Sequence, residues 1–270
     1  MKKQDLIKLA TLAALIIIAY IPTFIWMYDR WNAKDSYYNH GFLVPFISIF
    51  LIWQMRDKLK SIKINPSNMG WLFLGAGLLI HLISAVWRVY FSSGFSLILT
   101  IIGIALLFFG KDYLKKLFFP ISFLIFMIPL PLVAIANLSF QLKIFAAKIS
   151  TFIINNLGIR AIREGSIIKT ANSYLIVEDP CSGIRSLIAL IALGALMGYL
   201  SNLSRSKRMI LFASSIPIAI STNVIRIVSL SLVSEIYGAK WATGMFHTAM
   251  GLFVFVFAFI GLLIVENTLK

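Results

Sequence analysis

Charge is what this sequence has least of. Asp, Glu, Lys and Arg make up 13% of its 270 residues, and only 10 of them are acidic. A soluble domain carries about 25% charged and about 45–50% apolar residues, whereas here the apolar share is 60%. That leaves too few polar side chains to cover an aqueous exterior, which excludes an ordinary soluble enzyme. Cysteine is nearly absent too, with Cys181 standing alone. One thiol excludes an intramolecular disulfide and a multi-cysteine metal site. The three histidines, His40, His81 and His247, do not offer the paired axial ligands a haem requires. No metal and no cofactor is therefore expected.

Long apolar runs take the place of charge. A helix needs roughly 20 apolar residues to cross the hydrocarbon core. Candidate spans lie at 6–27, 41–55, 70–87, 94–109, 118–136, 182–200, 210–234 and 247–265, the second and fourth being short. The first follows Lys2 and Lys3, but no small-x-small cleavage site comes after it, so it reads as a retained helix. The reading is an all-α polytopic membrane protein with about eight transmembrane helices and a small extracytoplasmic lobe. Residues 1–270 are taken as a single integral membrane domain, with the lobe at 137–181 inside it.

The net charge of +15 would suggest a nucleic-acid partner in a soluble protein. No basic helix or stripe carries it here, and the positive-inside rule explains it more simply. Lys8, Arg56, Lys58, Lys60, Lys63, Lys111, Lys115, Lys116, Arg205, Lys207 and Arg208 fall in short segments on one side of the predicted spans. That side is cytoplasmic by the rule, which places both termini inside. Within the lobe, residues 138–157 read as an amphipathic interfacial helix ended by Gly158. Residues 163–169 and 172–177 then read as a short β-hairpin, with its turn at Thr170-Ala171-Asn172.

Three segments carry residues able to do chemistry. Glu178-Asp179-Pro180-Cys181-Ser182-Gly183-Ile184-Arg185 closes the lobe and opens the sixth span. Cys181 and Arg185 stand four apart, and a guanidinium beside a helix N-terminus favours the thiolate that a nucleophile requires. A lone membrane cysteine is otherwise a small packing residue. Asn223-Val224-Ile225-Arg226 lies within the seventh span. An arginine there costs at least ~2.5–3.5 kcal/mol on insertion scales, so it faces a partner or a wet cavity; Glu178, Asp179 or Glu235 could pair with it structurally. Phe246-His247-Thr248-Ala249-Met250-Gly251 opens the eighth span, where His247 could serve as no more than an interfacial anchor. The predicted topology puts all three segments near the outer face. Thiol, guanidinium and imidazole can supply nucleophile, oxyanion support and general acid for acyl transfer. His40, in Tyr37-Tyr38-Asn39-His40-Gly41, is on the same side and could shape a substrate entrance; Pro129-Leu130-Pro131 is expected to kink the fifth span.

At these residues the chain resembles the exosortase/archaeosortase family. The three segments look like that family's signature blocks, supported by Tyr38–Pro45, Ile128–Pro131, Arg163-Glu164-Gly165 and Ile216–Ile220 in the same order. The resemblance implies a multi-pass cysteine transpeptidase in the cell membrane, facing away from the cytoplasm. Its partners would be exported proteins bearing a C-terminal sorting tail: a Pro-Glu-Pro-like motif, a membrane helix and a basic cluster. The acceptor would be a surface glycan, a lipid or water. It implies catalytic roles for Cys181, Arg226 and His247, with His40, Asp179, Ser182, Gly183, Arg185 and Asn223 supporting or binding substrate. The family commonly has Glu-Ala before the cysteine and this chain has Asp179-Pro180, a change that bears on substrate preference. Two other classes fit the residues: a transporter or lipid-linked-glycan binder using Arg185 and Arg226, and a non-catalytic partner in exopolysaccharide export. Because Cys181 is the only thiol, a membrane-impermeant maleimide tests the topology directly. It is expected to label Cys181 from outside intact cells, and labelling confined to the cytoplasmic side would overturn the outer placement.

Overall fold

Apolar sequence without water to bond to must pair its own peptide groups, and helices do that within one segment. The computed structural model describes residues 3–34, 36–177, 182–238, 240–241 and 245–270, apart from the side chains of Met245, His247 and Thr248. It divides into two compact units, Met1–Leu130 and Pro131–Lys270. Among the described residues, five helices are long and apolar enough to cross a membrane, or six if a bent pair is one span.

The first unit contains helices α1 (Lys3–Ala19), α2 (Ile21–Asn32), α3 (Leu43–Gln54), the short α4 (Arg56–Lys60), α5 (Met69–Val86), α6 (Tyr90–Phe108) and α7 (Lys111–Phe123). The predicted first span is not straight: α1 and α2 meet at a 58° bend at Tyr20. Pro22 lacks the N–H that would bond the Ile18 carbonyl, so the helix breaks there. Side chains hold the break. The fully buried Tyr20 hydroxyl lies 2.8 Å from Ser96 Oγ and 3.0 Å from Thr100 Oγ1. Its ring stacks on His81 at 3.9 Å between centroids. His81 Nδ1 lies 2.8 Å from Ser93 Oγ, which in turn meets Thr23 Oγ1 at 2.6 Å. His81, unassigned in the sequence, is thus a packing residue with a hydroxyl partner. Helices α5 and α6 pack closely because glycines let them: a methyl group on Gly103 would come within 2.5 Å of the Leu74 nitrogen.

The predicted span at 118–136 does not form. Helix α7 ends at Phe123, a 3-10 turn covers Leu124–Met127, and Ile128 is extended. The prolines at 129 and 131 end the helix rather than kink it, because each disfavours a helical residue before it. Their consequence is that α8 (Leu132–Asn156) begins just after Pro131 and runs as one 25-residue helix. The segment read as an interfacial helix at 138–157 is therefore part of a longer one, apolar enough to span. Its end is as expected: Gly158 has φ +86° and its N–H bonds the Asn155 carbonyl.

The rest of the second unit comprises strands β1 (Ile162–Glu164), β2 (Ile167–Lys169) and β3 (Tyr174–Ile176), then α9 (Ile184–Leu200), α10 (Arg205–Tyr237) and α11 (Met245–Leu269). The strands form one antiparallel sheet in the order β1-β2-β3. The sequence reading had two strands. The run at 163–169 is itself a hairpin, folded at Gly165, whose φ of +61° suits a tight turn. The predicted turn at 170–172 is present, closed by Thr170 N–H on the Ser173 carbonyl. Ile168, Leu175 and Val177 bury one face of the sheet against Ala146 and Ala147 of α8 and Val224, Ile227 and Leu230 of α10. A second core joins α9, α10 and α11 through Leu187, Leu190, Leu211, Ala219, Ala258 and Leu262.

Removing the Tyr20 hydroxyl tests what holds the bend. Tyr20→Phe is expected to cost about 1–2 kcal/mol, the range for polar contacts between membrane helices, read as a lower melting temperature in detergent.

Candidate functional site

The site is built on α10, the 33-residue helix at the centre of the second unit. Asn223 and Arg226 stand three apart on it and so share a face; both are buried, at 3% and 9% exposure. A guanidinium held this far from water must be set among polar or charged groups.

Two close approaches join the three chemistry-bearing segments. The first is between Gly183 and Asn223. Gly183 precedes α9 with φ +80°, and a methyl group there would lie 2.8 Å from the Asn223 amide carbon. Only glycine combines that backbone with that proximity. The second is between α10 and α11, where a methyl group on Gly251 would lie 3.6 Å from a terminal nitrogen of Arg226. His247 sits one helical turn before Gly251 on α11. Phe246 and Met250, from the same segment, pack on the core shared by the sheet, α8 and α10. Asp179 and Cys181 lie outside the described residues, as does the His247 side chain, while Cys181 is one peptide bond from Ser182.

Ser182 is buried at 2% exposure, and its Oγ accepts the Ile184 N–H at 3.4 Å. Arg185 is the second residue of α9, and its buried Nε has no hydrogen-bond partner among the described residues. A narrow crevice opens beside these groups, lined by Leu142, Phe145 and Ala146 of α8, Ser182, Gly183 and Leu187, and Ala219, Ile220 and Asn223 of α10. The sequence reading missed the α8 wall because it laid that helix on the membrane surface. The spacing of Leu142, Phe145 and Ala146, three and four apart, was the available signal.

The Glu235 carboxylate faces the lobe. Oε2 accepts hydrogen bonds from Thr170 Oγ1 at 2.5 Å and Asn172 N–H at 3.2 Å, and Oε1 accepts one from Asn172 Nδ2 at 2.8 Å. The suggested Arg226–Glu235 pairing thus gives way to a bond between α10 and the hairpin turn. A carboxylate in the last turn of a helix opposes the helix dipole, a sign in the sequence that it has another partner.

In the first unit, His40 occupies a 3-10 turn ahead of α3. Its ring stacks on Tyr38 at 5.8 Å, and burial holds the imidazole below its usual range, against an opposing hydrogen bond with the Phe126 backbone. Leu130 N–H donates to the Tyr38 hydroxyl at 3.3 Å, and Trp31 Nε1 donates to the Met127 carbonyl at 2.8 Å. The two supporting segments, around Tyr38 and around Pro129, are therefore joined.

A helical membrane protein with buried Asn and Arg on one helix, packed against the opening turns of two others, belongs among membrane proteins that use intramembrane polar groups. The comparison with protein families narrows this. The transmembrane exosortase family model matches residues 31–264, and the chain belongs to that family. No curated protein and no solved structure matches the chain.

Gly183 and Gly158 give a controlled test. Both have positive φ, but nothing lies within 4 Å of a methyl on Gly158. Gly158→Ala is expected to cost about 1–2 kcal/mol from backbone strain alone. Gly183→Ala should cost distinctly more in the same melting assay, the excess reporting contact with Asn223.

Proposed function

We propose that this chain is a cysteine-dependent transpeptidase or protease that cleaves the C-terminal sorting tail of exported proteins. The carrying observation is that Gly183 packs on Asn223 and Gly251 on Arg226, so segments distant in sequence meet on α10. Family membership supports a membrane sorting enzyme in general, and the residue roles below are our reading.

The tail's membrane helix presents its motif at the outer surface, where the site faces, with both termini of the enzyme cytoplasmic. The Cys181 thiolate attacks the scissile carbonyl carbon, forming a C–S bond and an oxyanion. The Arg226 guanidinium stabilises that oxyanion, aided by Arg185, whose Nε has a hydrogen to donate. As the C–N bond breaks, His247 gives its proton to the leaving amine, and the thioester remains. A hydroxyl, an amine or water then attacks, losing its proton to His247, and the C–S bond breaks to return the thiolate. Asn223 fixes the start of α9, while Ser182 and Asp179 shape the approach of substrate.

The test is processing of an exported reporter that ends in a Pro-Glu-Pro motif, a membrane helix and a basic cluster. Cys181→Ala is expected to abolish cleavage while leaving insertion intact; normal processing by that variant would sink the mechanism. Arg226→Lys keeps the charge but loses the planar fork, and is expected to lower turnover by about 100- to 1,000-fold, the effect of losing an oxyanion donor.

The buried Arg185 Nε, without a hydrogen-bond partner among the described residues, also favours a second reading, binding of an anionic lipid-linked head group. It is supported if Cys181→Ser is silent while Arg226→Ala abolishes binding.

A further inference from the structure

Within the first unit, the loop after α4 lies against the junction of α6 and α7. Asn65 N–H donates to the Phe109 carbonyl at 3.2 Å, and Ser67 N–H to the Leu106 carbonyl at 2.9 Å. Asn65 and Gly110 form an isolated bridge, so close that a methyl group on Gly110 would collide with the Asn65 carbonyl. Helix α3 also packs on α7. Two basic stretches distant in sequence are thereby brought together. Lys63 precedes the bridge by two residues and Lys111 follows it by one, so their Cα atoms are at most about 16 Å apart.

The charge at this junction is of one sign. Arg56, Lys58 and Lys60 of α4, Lys63 of the loop, and Lys111, Lys115 and Lys116 of α7 are all exposed. The same stretches hold two carboxylates, and both are engaged: Asp57 accepts from Lys60 Nζ at 3.1 Å, and Asp112 from Lys115 Nζ at 2.9 Å. Lys58, Lys63, Lys111 and Lys116 have no ion-pair partner among the described residues. Lys111 opens α7, where the helix dipole disfavours a cation. Helix stability therefore does not account for the cluster. The positive-inside rule asks only that cations lie on one side of the membrane; it does not require two segments to converge.

Apolar surface begins at the margin of the patch. Trp53 and Phe118 are exposed, and the Arg56 guanidinium lies 4.3 Å over the Trp53 ring. An exposed tryptophan under a cation fits the depth of lipid headgroups. Phe118 stands seven residues along α7 from Lys111, about 10 Å of rise. A soluble acidic partner would have no use for those rings, whereas a phospholipid has a part for each: a phosphodiester for the lysines and acyl chains for the rings.

We infer that this junction is a binding site for an anionic phospholipid. Its headgroup oxygens accept hydrogen bonds from the ammonium groups of Lys58, Lys63, Lys111 and Lys116, and its chains lie along Trp53 and Phe118. Neither the orientation of the chain in the membrane nor the proposed chemistry is needed for this site.

The full-length protein in neutral detergent is melted while dioleoylphosphatidylglycerol is added. Dioleoylphosphatidylcholine, inorganic phosphate and poly-glutamate are parallel titrants. Phosphatidylglycerol is expected to raise the melting temperature to a plateau, and the other three to have little effect. The midpoint should move to about 30-fold more lipid in Lys58→Gln/Lys63→Gln, and by as much in Lys111→Gln/Lys116→Gln, about fivefold for each lysine near an anionic surface. Lys→Arg at the same four positions keeps the charge and should bind as wild type. Arg160→Gln/Lys169→Gln removes two exposed charges from the second unit and should leave the midpoint in place. An equal rise with phosphatidylcholine, phosphate or poly-glutamate overturns the inference. So does an unmoved midpoint in either patch variant, or an equal shift in the second-unit variant.

Discussion

In a hydrocarbon solvent a peptide group that loses its helical partner must find another within the protein, and this requirement shapes each irregular feature of the chain. Where Pro22 interrupts the first helix, buried hydroxyls and the His81 ring gather round the break. Where Pro129 and Pro131 end another, the Leu130 N–H turns to the Tyr38 hydroxyl. Both breaks lie beside buried hydroxyls, which bond one another around Tyr20 and take a backbone N–H at Leu130.

The same requirement gives α10 its part. It is long enough to bury Asn223 and Arg226 at one level and to present Ser234 and Glu235 at another. One rigid helix can therefore fix the start of α9 through Gly183, meet α11 at Gly251, and clamp the hairpin. A helix whose own backbone is fully bonded makes a stiff ruler. The lobe sheet is too small to stand alone, and it is stable here because Ile168, Leu175 and Val177 share a core with α8 and α10.

Much of this was legible beforehand. The apolar runs at 70–87, 94–109, 210–234 and 247–265 lie within or close to helices Met69–Val86, Tyr90–Phe108, Arg205–Tyr237 and Met245–Leu269, and the three segments with their chemistry follow from residue type and order. The errors cluster at proline and glycine. Reading 118–136 as a span treated two prolines as a kink, and reading 163–169 as one strand passed over Gly165. Misplacing the first of these moved α8 to the surface and hid Leu142, Phe145 and Ala146 from view.

By itself the sequence determined that the chain lives in lipid, because 60% apolar residues and 13% charged ones cannot make an aqueous surface. It also determined which residues were capable of chemistry. Only the tertiary structure decided which of them meet. Gly183 and Asn223 are forty residues apart in the chain, and their contact depends on how α9 and α10 pack. Arg226 and Glu235 stand nine residues apart on α10 and so on opposite faces, which argues against their pairing, but only the fold put the hairpin turn opposite the carboxylate. Helical periodicity fixes the face a residue occupies, whereas packing between helices determines what stands opposite it.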